Sequence, residues 1–346
     1  MVQYRAFIKD RTDIGGYSIG SSDLRITAFT IKVDALNKAV STITVMNVPP
    51  VVKEGDILCV YSPQGKTIYQ GVITKLSGAI QCDQIESLFD DNWLWNDPKM
   101  DILEENIKNV IETDFKNSDD PILRKIFQFD IKTISNTKIK LPSQEPNYVK
   151  NFSTLIYELF DKYNIRFFFD IEFTPKQPVL KIGTEDSTRI KFSNNVNSVL
   201  NINRVTEIYE TNKLIIYSEE GVHRATFYGT RSGITDNPNQ LDRFSKIKTN
   251  YVFSDDEFNI IKAQNLRNQM YNHEIKVEMV LDNKIYDFWS FKLGQEFDIF
   301  VGRDYFNTIL TGYELRYKNG SMDTVSLTFG KVRTKLEDKL NKYAQK

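Results

Sequence analysis

Two stretches of this chain spell the same order of β elements. The first runs from Glu54-Gly55-Asp56 into Ile57–Tyr61, through a loop holding Gly65, into Ile68–Leu76 with Gly71 inside it, and over a Ser77-Gly78 turn into another strand. The second runs from Leu293-Gly294-Gln295 into Glu296–Val301, through a loop with Gly302, into Ile309–Tyr317 with Gly312 inside it, and over an Asn319-Gly320 turn into Thr324–Phe329. Each glycine falls where a strand starts or bends, as expected where backbone must turn sharply or be approached closely. The repeat predicts two similar β-barrel-like domains, with Gly55 to Cys82 and Gly294 to Phe329 sharing one fold. A duplicated barrel suits ring building better than catalysis.

At 346 residues the chain has room for two or three domains with ordinary cores. Lys+Arg 45 against Asp+Glu 46 gives a net charge of -1, so no global field draws it to nucleic acid or to an anionic membrane. Aromatics make up 12%, led by 23 Phe and 17 Tyr, which fits β cores rather than a disordered chain. Cys59 and Cys82 are the only cysteines, and both lie in strand-like runs. A disulfide framework or a thiolate metal site is not expected, and synthesis in a reducing compartment is. The N-terminus, Met1 to Arg11, lacks the apolar run of a secretory signal, and no segment approaches membrane-spanning length.

Alternation and spacing divide the chain into four parts. Residues 1–90 read as strands, with Leu24, Ile26 and Ala28 on one face and Phe29, Ile31 and Val33 on the other. That change of phase between Ala28 and Phe29 predicts a β-bulge. Residues 91–194 read as an α/β insert. One helix follows Asp101-Ile102-Leu103-Glu104, and a second, near 151–163, buries Phe152, Leu155, Ile156, Leu159 and Phe160. Strands at 165–170 and 179–182 follow it, and Pro121, Pro142 and Pro146 punctuate the stretch between the helices. Residues 195–332 return to strands, at 202–209, 213–217, 222–228 and 247–253, with one helix opened by Ser254-Asp255-Asp256-Glu257 as a capping box and running to about Tyr271. Residues 333–346 read as a short charged helix bearing Leu336, Leu340 and Tyr343. The fold class expected is α+β and β-dominated.

No catalytic pattern withstands its context. Gly16-Tyr17-Ser18-Ile19-Gly20 matches a nucleophile elbow, with His223 and His273 downstream in the order such hydrolases use. The elbow needs a helix after the serine, because the helix N-terminus helps stabilise the oxyanion, whereas Ser21-Ser22-Asp23 leads into a strand; the motif is read as a loop. The two histidines have no metal-ligand spacing and are read as structural, and Gly15-Gly16 lacks the Gly-Lys-Ser/Thr of a phosphate cradle. Asp90-Asp91, Asp119-Asp120 and Glu219-Glu220 could serve as a hydrolase's carboxyl pair but are read as solvated turns, and Asp255-Asp256-Glu257 as charge at a helix start. Trp93 and Trp95 offer a saccharide-binding face, yet their place at a domain boundary favours packing between the first barrel and the insert. No catalytic, cofactor-binding or metal residue is assigned.

The order of pieces resembles the baseplate hub, or tail-hub, family of tailed bacteriophages and related contractile injection machines, including the N-terminal part of siphophage tail-associated proteins. The likeness rests on the Gly55-Asp56 and Gly71 strands, Cys82-Asp83-Gln84-Ile85-Glu86-Ser87-Leu88, the helix-to-strand passage from Leu155-Ile156-Tyr157-Glu158-Leu159-Phe160 to Ile165-Arg166-Phe167-Phe168-Phe169, and the closing Leu327-Thr328-Phe329-Gly330-Lys331. The resemblance implies two tube-protein-like barrels per chain with an α/β insert between them, and a homotrimer forming a pseudo-sixfold ring. Such a ring joins a hexameric tail tube, through its distal tail or tail tube protein, to a threefold spike or fibre tip, with the tape measure protein a further neighbour. It implies a virion protein that is not an enzyme, and no cofactor, specific nucleic-acid binding or membrane span. The chain stops soon after its second β domain, so a fused wall-degrading domain is not expected, and the C-terminal helix is a candidate dock for the tip protein. The alternatives are a tail-associated cell-wall hydrolase and a host-surface glycan-binding tail protein.

Overall fold

The computed structural model describes residues 4–11, 17–90, 93–95, 108, 127–133, 149–163, 165–185, 190–192, 199–205, 212–230, 233–240, 249–266, 273–282, 285–301 and 304–331. Strands dominate them. The helix expected after Asp101 is described only at Lys108, which is helical, and the one at 333–346 lies outside the described residues, as do Gly15, Gly16, Gly302, Asp91, Asp119-Asp120 and the three insert prolines. The chain divides into two compact units, one of residues 1–187, 280–288 and 312–325, the other of 188–279, 289–311 and 326–346.

The first unit begins with β1 (Arg5–Arg11), β2 (Tyr17–Asp34), β3 (Val40–Val45), β4 (Ile57–Tyr61), β5 (Thr67–Ser77) and β6 (Ala79–Gln84). They hydrogen-bond in the order β1-β4-β5-β6-β3-β2, and β1 also pairs with β2, so the circuit closes on itself. Every pairing in it is antiparallel. Alternation turns Ile8, Ile26, Ile43, Ile57, Ile73 and Ile80 inward, all buried.

In β2 the expected bulge is present one residue earlier, at Thr27, where the register against β3 slips between Ile26 and Ala28. Leu24, Ile26, Phe29 and Ile31 are all buried as a result. The extra residue stays satisfied: Thr27 Oγ1 donates to the Thr44 carbonyl at 3.2 Å, and the Thr27 carbonyl accepts the Asn319 N–H at 2.9 Å. Residues Gly312–Lys318 pair along the other side of β2, from Ala28 opposite Lys318 to Asp34 opposite Gly312. The rings of Tyr4, Phe29 and Tyr317 cluster, with centroids 5.1 Å apart edge to face for Tyr4 and Phe29, and 4.7 and 5.3 Å apart and tilted where Tyr317 meets Tyr4 and Phe29. The Tyr4 hydroxyl donates to Asp323 Oδ2 at 3.0 Å.

The rest of the first unit is a small α/β layer. After β7 (Trp93–Trp95), β8 (Gln128–Thr133) and β9 (Val149–Asn151) comes α1 (Phe152–Tyr163), then β10 (Arg166–Glu172) and β11 (Val179–Glu185). β11 pairs antiparallel with β10 and parallel with β8. Phe152, Ile156 and Leu159, spaced for one helix face, are buried with Phe89, Phe127, Phe167 and Leu180, and Phe160 is buried too. The Gln70 side chain clamps Ile171, donating Nε2–H to its carbonyl and accepting its N–H, each at 2.8 Å. Gly183 lies so close to the Lys132 carbonyl and the Phe168 ring that a Cβ has no room.

The second unit holds β12 (Ile190–Phe192), β13 (Val199–Val205), β14 (Lys213–Tyr217), β15 (His223–Thr230), β16 (Gly233–Thr235), β17 (Thr249–Phe253), α2 (Phe258–Asn265), β18 (Glu274–Val280), β19 (Glu296–Val301) and parts of β20 (Asp304–Lys318) and β21 (Thr324–Phe329). Its pairing path is β12-β19-β20-β21-β18-β13. Taken in chain order this is the strand order of the first circuit, although β12 meets β19 in parallel. Between β13 and β18 stands a separate four-stranded sheet, β16-β15-β14-β17. Leu214 and Ile216 of that sheet are buried with Ile261 and Leu266 of the helical segment, and Phe227, Val252 and Phe258 pack around them. Its helix starts later than the capping box predicts. Glu257 is the N-cap and makes no side-chain cap bond. Ser254 instead holds Asp256 in a local turn, its Oγ accepting the Asp256 N–H at 3.1 Å.

The repeat expected from the sequence is visible atom by atom at its two glycine turns. The Asp56 N–H reaches the Lys53 carbonyl at 3.3 Å while Asp56 Oδ2 accepts the Lys53 N–H at 2.8 Å; Gln295 does the same to Lys292 at 3.1 and 3.0 Å. Gly55 and Gly294 have φ of 92° and 80°, and their N–H groups donate to Ile73 and Leu310. A left-handed third turn position explains why both are glycine. The register corrects one detail. Leu58 faces Gly71 and Phe297 faces Thr308, so Thr308, and not Gly312, takes the place of Gly71. Tyr69 explains the glycine in the first copy, since its ring folds over Gly71 where a Cβ would stand.

We expect Gly183→Ala to lower stability by about 1 to 3 kcal/mol, because the added methyl forces β8 and β11 apart. A thermal melt unchanged within a degree would contradict the close approach.

Candidate functional site

The residues singled out by the motif search do not come together as a reacting constellation. Ser18 lies within β2, which pairs with β1 at Tyr17 and, past a register shift, from Ser21 to Arg25, so no helix N-terminus follows it and the loop expected there is a strand. His223, in the second unit, is exposed, with Nε2 3.0 Å from Thr226 Oγ1. His273 is buried just before β18, its Nε2 2.8 Å from Thr308 Oγ1 and its ring 5.2 Å from Phe306. Gly330 closes over His273 at φ 84°, with no space for a side chain against the His273 carbonyl. Glu219-Glu220 occupy the exposed turn between β14 and β15. Asp90 joins Asp83 around Lys38 Nζ at 2.6 and 2.7 Å. Among the described residues no group of three or more His, Cys, Asp and Glu is placed to hold a metal ion. Trp93 and Trp95 lie in β7 opposite Asn151 and Val149; their side chains fall outside the described residues.

What the geometry does offer is surface. On the first unit, the face of the sheet turned away from the core carries one row across five strands: Lys75, Gln81, Thr42, Thr30 and Arg316. At about 4.8 Å per strand that row spans roughly 19 Å. The short side chains of Ala28, Thr30, Thr42 and Thr44 floor a groove of about 330 Å³, walled by Arg316, Lys318 and Met322. Lys32 lies beside it. Glu314, 3.6 Å from Lys32 and 2.6 Å from Arg316, is the one carboxylate among these positions. Neither the row nor the groove is legible as a motif, because each joins residues of β2 and β3, and the row also those of β5 and β6, across strands to residues near Arg316, more than two hundred positions away.

The second unit presents the opposite charge at one end of its four-stranded sheet. The Ser254 N–H donates to the Tyr217 carbonyl at 2.9 Å, which brings the loop Ser254–Glu257 beside the turn Ser218–Gly221. Glu219, Glu220, Asp255, Asp256 and Glu257 are all exposed there. Arg224 answers them from below: its Nη1 donates to the carbonyls of Ser254 and Asp256 at 2.5 and 3.1 Å and lies 3.9 Å from Asp255 Oδ1. Its guanidinium rests 4.9 Å from the centre of the Phe258 ring.

Buried titratable groups on the first unit behave as structural ones. Burial pushes the Cys59 thiol up to about 12 and raises Cys82 as well. Burial, then the nearby Asp323 charge, raises the Tyr4 phenol well above its ordinary 10.0. Two outcomes follow. Neither thiol should react with a disulfide reagent at about pH 8 until denaturant is added, since the thiolate is the nucleophile; rapid native labelling would contradict their burial. Because the native state keeps Tyr4 protonated while the unfolded chain starts to lose that proton near pH 10, stability is fully present below that value and falls as pH rises through it. Tyr4→Phe should cost about 1 to 2 kcal/mol at neutral pH, and its unfolding midpoint should fall less steeply between about pH 9 and pH 11 than that of the wild type. Parallel slopes would remove Tyr4 as a source of that loss.

No family model matches the chain, and no curated protein does. Solved structures do. A tail protein from Neisseria meningitidis MC58 superposes with a TM-score of 0.58 at 10% identity, covering 95% of this chain and 97% of its own. Prophage tail protein gp18 from Listeria monocytogenes EGD-e gives 0.55 at 13% identity over 99% and 98% of the two chains. A chain of the phage P2 baseplate in its activated conformation gives 0.52 at 11% identity over 94% and 98%. The fold of this chain, over nearly its whole length, is the fold of phage tail and baseplate proteins.

Proposed function

We propose that this chain is a structural protein of a phage-type tail, the trimeric hub of its baseplate. Three copies form a ring, each lending two tube-like barrels, so that six similar positions meet a hexameric tail tube on one side and a threefold spike or fibre tip on the other. The observation that carries this reading is the shared strand order of the two units, β1-β4-β5-β6-β3-β2 and β12-β19-β20-β21-β18-β13, with the same glycine turn leading into β4 and β19. A symmetry adaptor needs one interface twice per chain, and a duplicated unit supplies it. The closed circuit of the first unit supports its reading as a barrel.

Within this proposal residues 1–90 and 195–332 carry the barrels, 91–194 the α/β insert, and 333–346 a helix that docks the tip protein. The tape measure protein is a further neighbour, and the work of the ring is attachment and passage of the genome, without chemistry of its own.

Mass measurement in dilute buffer tests the assembly. We expect a species of three times the chain mass, with pseudo-sixfold rings by electron microscopy. A chain that stays monomeric up to about 100 μM, beyond the micromolar range of ordinary specific contacts, would overturn the hub reading.

A further inference from the structure

The basic face of the first unit and the acidic corner of the second are both exposed, both built by long-range pairing, and opposite in sign. On the face, Lys32, Lys75, Arg316 and Lys318 stand against Glu314. At the corner, Glu219, Glu220, Asp255, Asp256 and Glu257 stand against Arg224. The chain as a whole is nearly neutral, at -1, so these local imbalances are arrangements rather than reflections of composition. Like charges held together on two adjacent loops repel, and an oppositely charged surface offsets that repulsion. Shape agrees with sign. The face carries a groove lined by Ala28, Thr30, Thr42, Thr44, Arg316 and Lys318, while the corner consists of a tight turn and a short loop.

We propose that the basic face of the first unit receives the acidic corner of the second unit of a neighbouring copy of this chain. The two surfaces differ, so the contact is head to tail; repeated around an axis it closes a ring, whereas a self-complementary patch would stop at a dimer. Both partners of the contact are present on every copy, which is the argument for a second copy over a foreign acidic segment. This inference rests on the ring reading of the preceding section and names the surfaces that join its members.

Charge reversal in the full-length chain, read by sedimentation of the oligomer, tests it. R316E with K318E, and separately D255K with E257K, should each weaken self-association about tenfold or more, an effect of the size known for interfacial charge pairs. All four changes together should restore it. Raising salt from about 0.05 to 0.5 M should weaken the wild type and leave the reversed pairs less affected, since screening shortens the reach of these charges. Should circular dichroism show that R316E with K318E does not fold, R316Q with K318Q replaces it, with a smaller loss expected. Reversals that leave a wild-type trimer unchanged, or that weaken it without recovery in the combined variant, overturn this contact and leave the hub reading standing. A wild type that is monomeric at low salt overturns both.

Discussion

The first unit depends on a pairing that spans most of the chain. β2 lies between β3, just downstream, and residues Gly312–Lys318, and the bond from Tyr4 to Asp323 joins positions 319 apart. Closing so long a loop costs entropy that grows only slowly with length, but none of it is offset until the late strand arrives. The clustered rings of Tyr4, Phe29 and Tyr317 and the seven paired positions along β2 are what offset it. A chain cut before Gly312 would leave β2 with an unpaired side and Tyr4 without its acceptor. The exposed basic row depends on the same pairing, because Arg316 and Lys318 reach the face only when Gly312–Lys318 lies along β2.

Local signals in the sequence carried far. Strand alternation located β4, β5, β14, β19 and β21 to within a residue or two, and apolar spacing located α1, since these elements bury one face and leave the other wet. The glycine turns at Gly55 and Gly294 were legible because only a positive φ asks for glycine there. Register was not legible. Matching Gly71 to Gly312 lines up two glycines of different purpose: Gly71 yields to the Tyr69 ring, whereas Gly312 is paired opposite Asp34. The capping box at Ser254 misled for a related reason. A serine followed by acids satisfies a local turn as readily as a helix start, and the sequence does not say which backbone path wins.

The surfaces available for assembly were harder still to foresee. Thr30, Thr42 and Arg316 are unremarkable apart, and their meaning comes from adjacency on one face across β3, β2 and β20. The acid pairs were read as solvated turns, which is what Glu219 and Glu220 are when viewed singly. Their juxtaposition with Asp255, Asp256 and Glu257 comes from the parallel pairing of β14 with β17. Motif search looks for chemistry carried by neighbours in sequence; a structural component distributes its chemistry over sheets.

The bulge at Thr27 has a consequence for how such a chain drifts through evolution. One surplus residue inverts the in-and-out reading of everything after it in β2, so that Phe29 and Ile31 are core while Thr30 and Lys32 are surface. Loss of Thr27 would leave Ala28 opposite Thr44 and keep Phe29 and Ile31 inward, whereas a ladder that took Thr27 in as an ordinary pair would turn a threonine and a lysine inward and two large apolar groups out. Sequence on either side is free to change so long as its alternation is kept, and the bulge can be lost only together with its surplus residue.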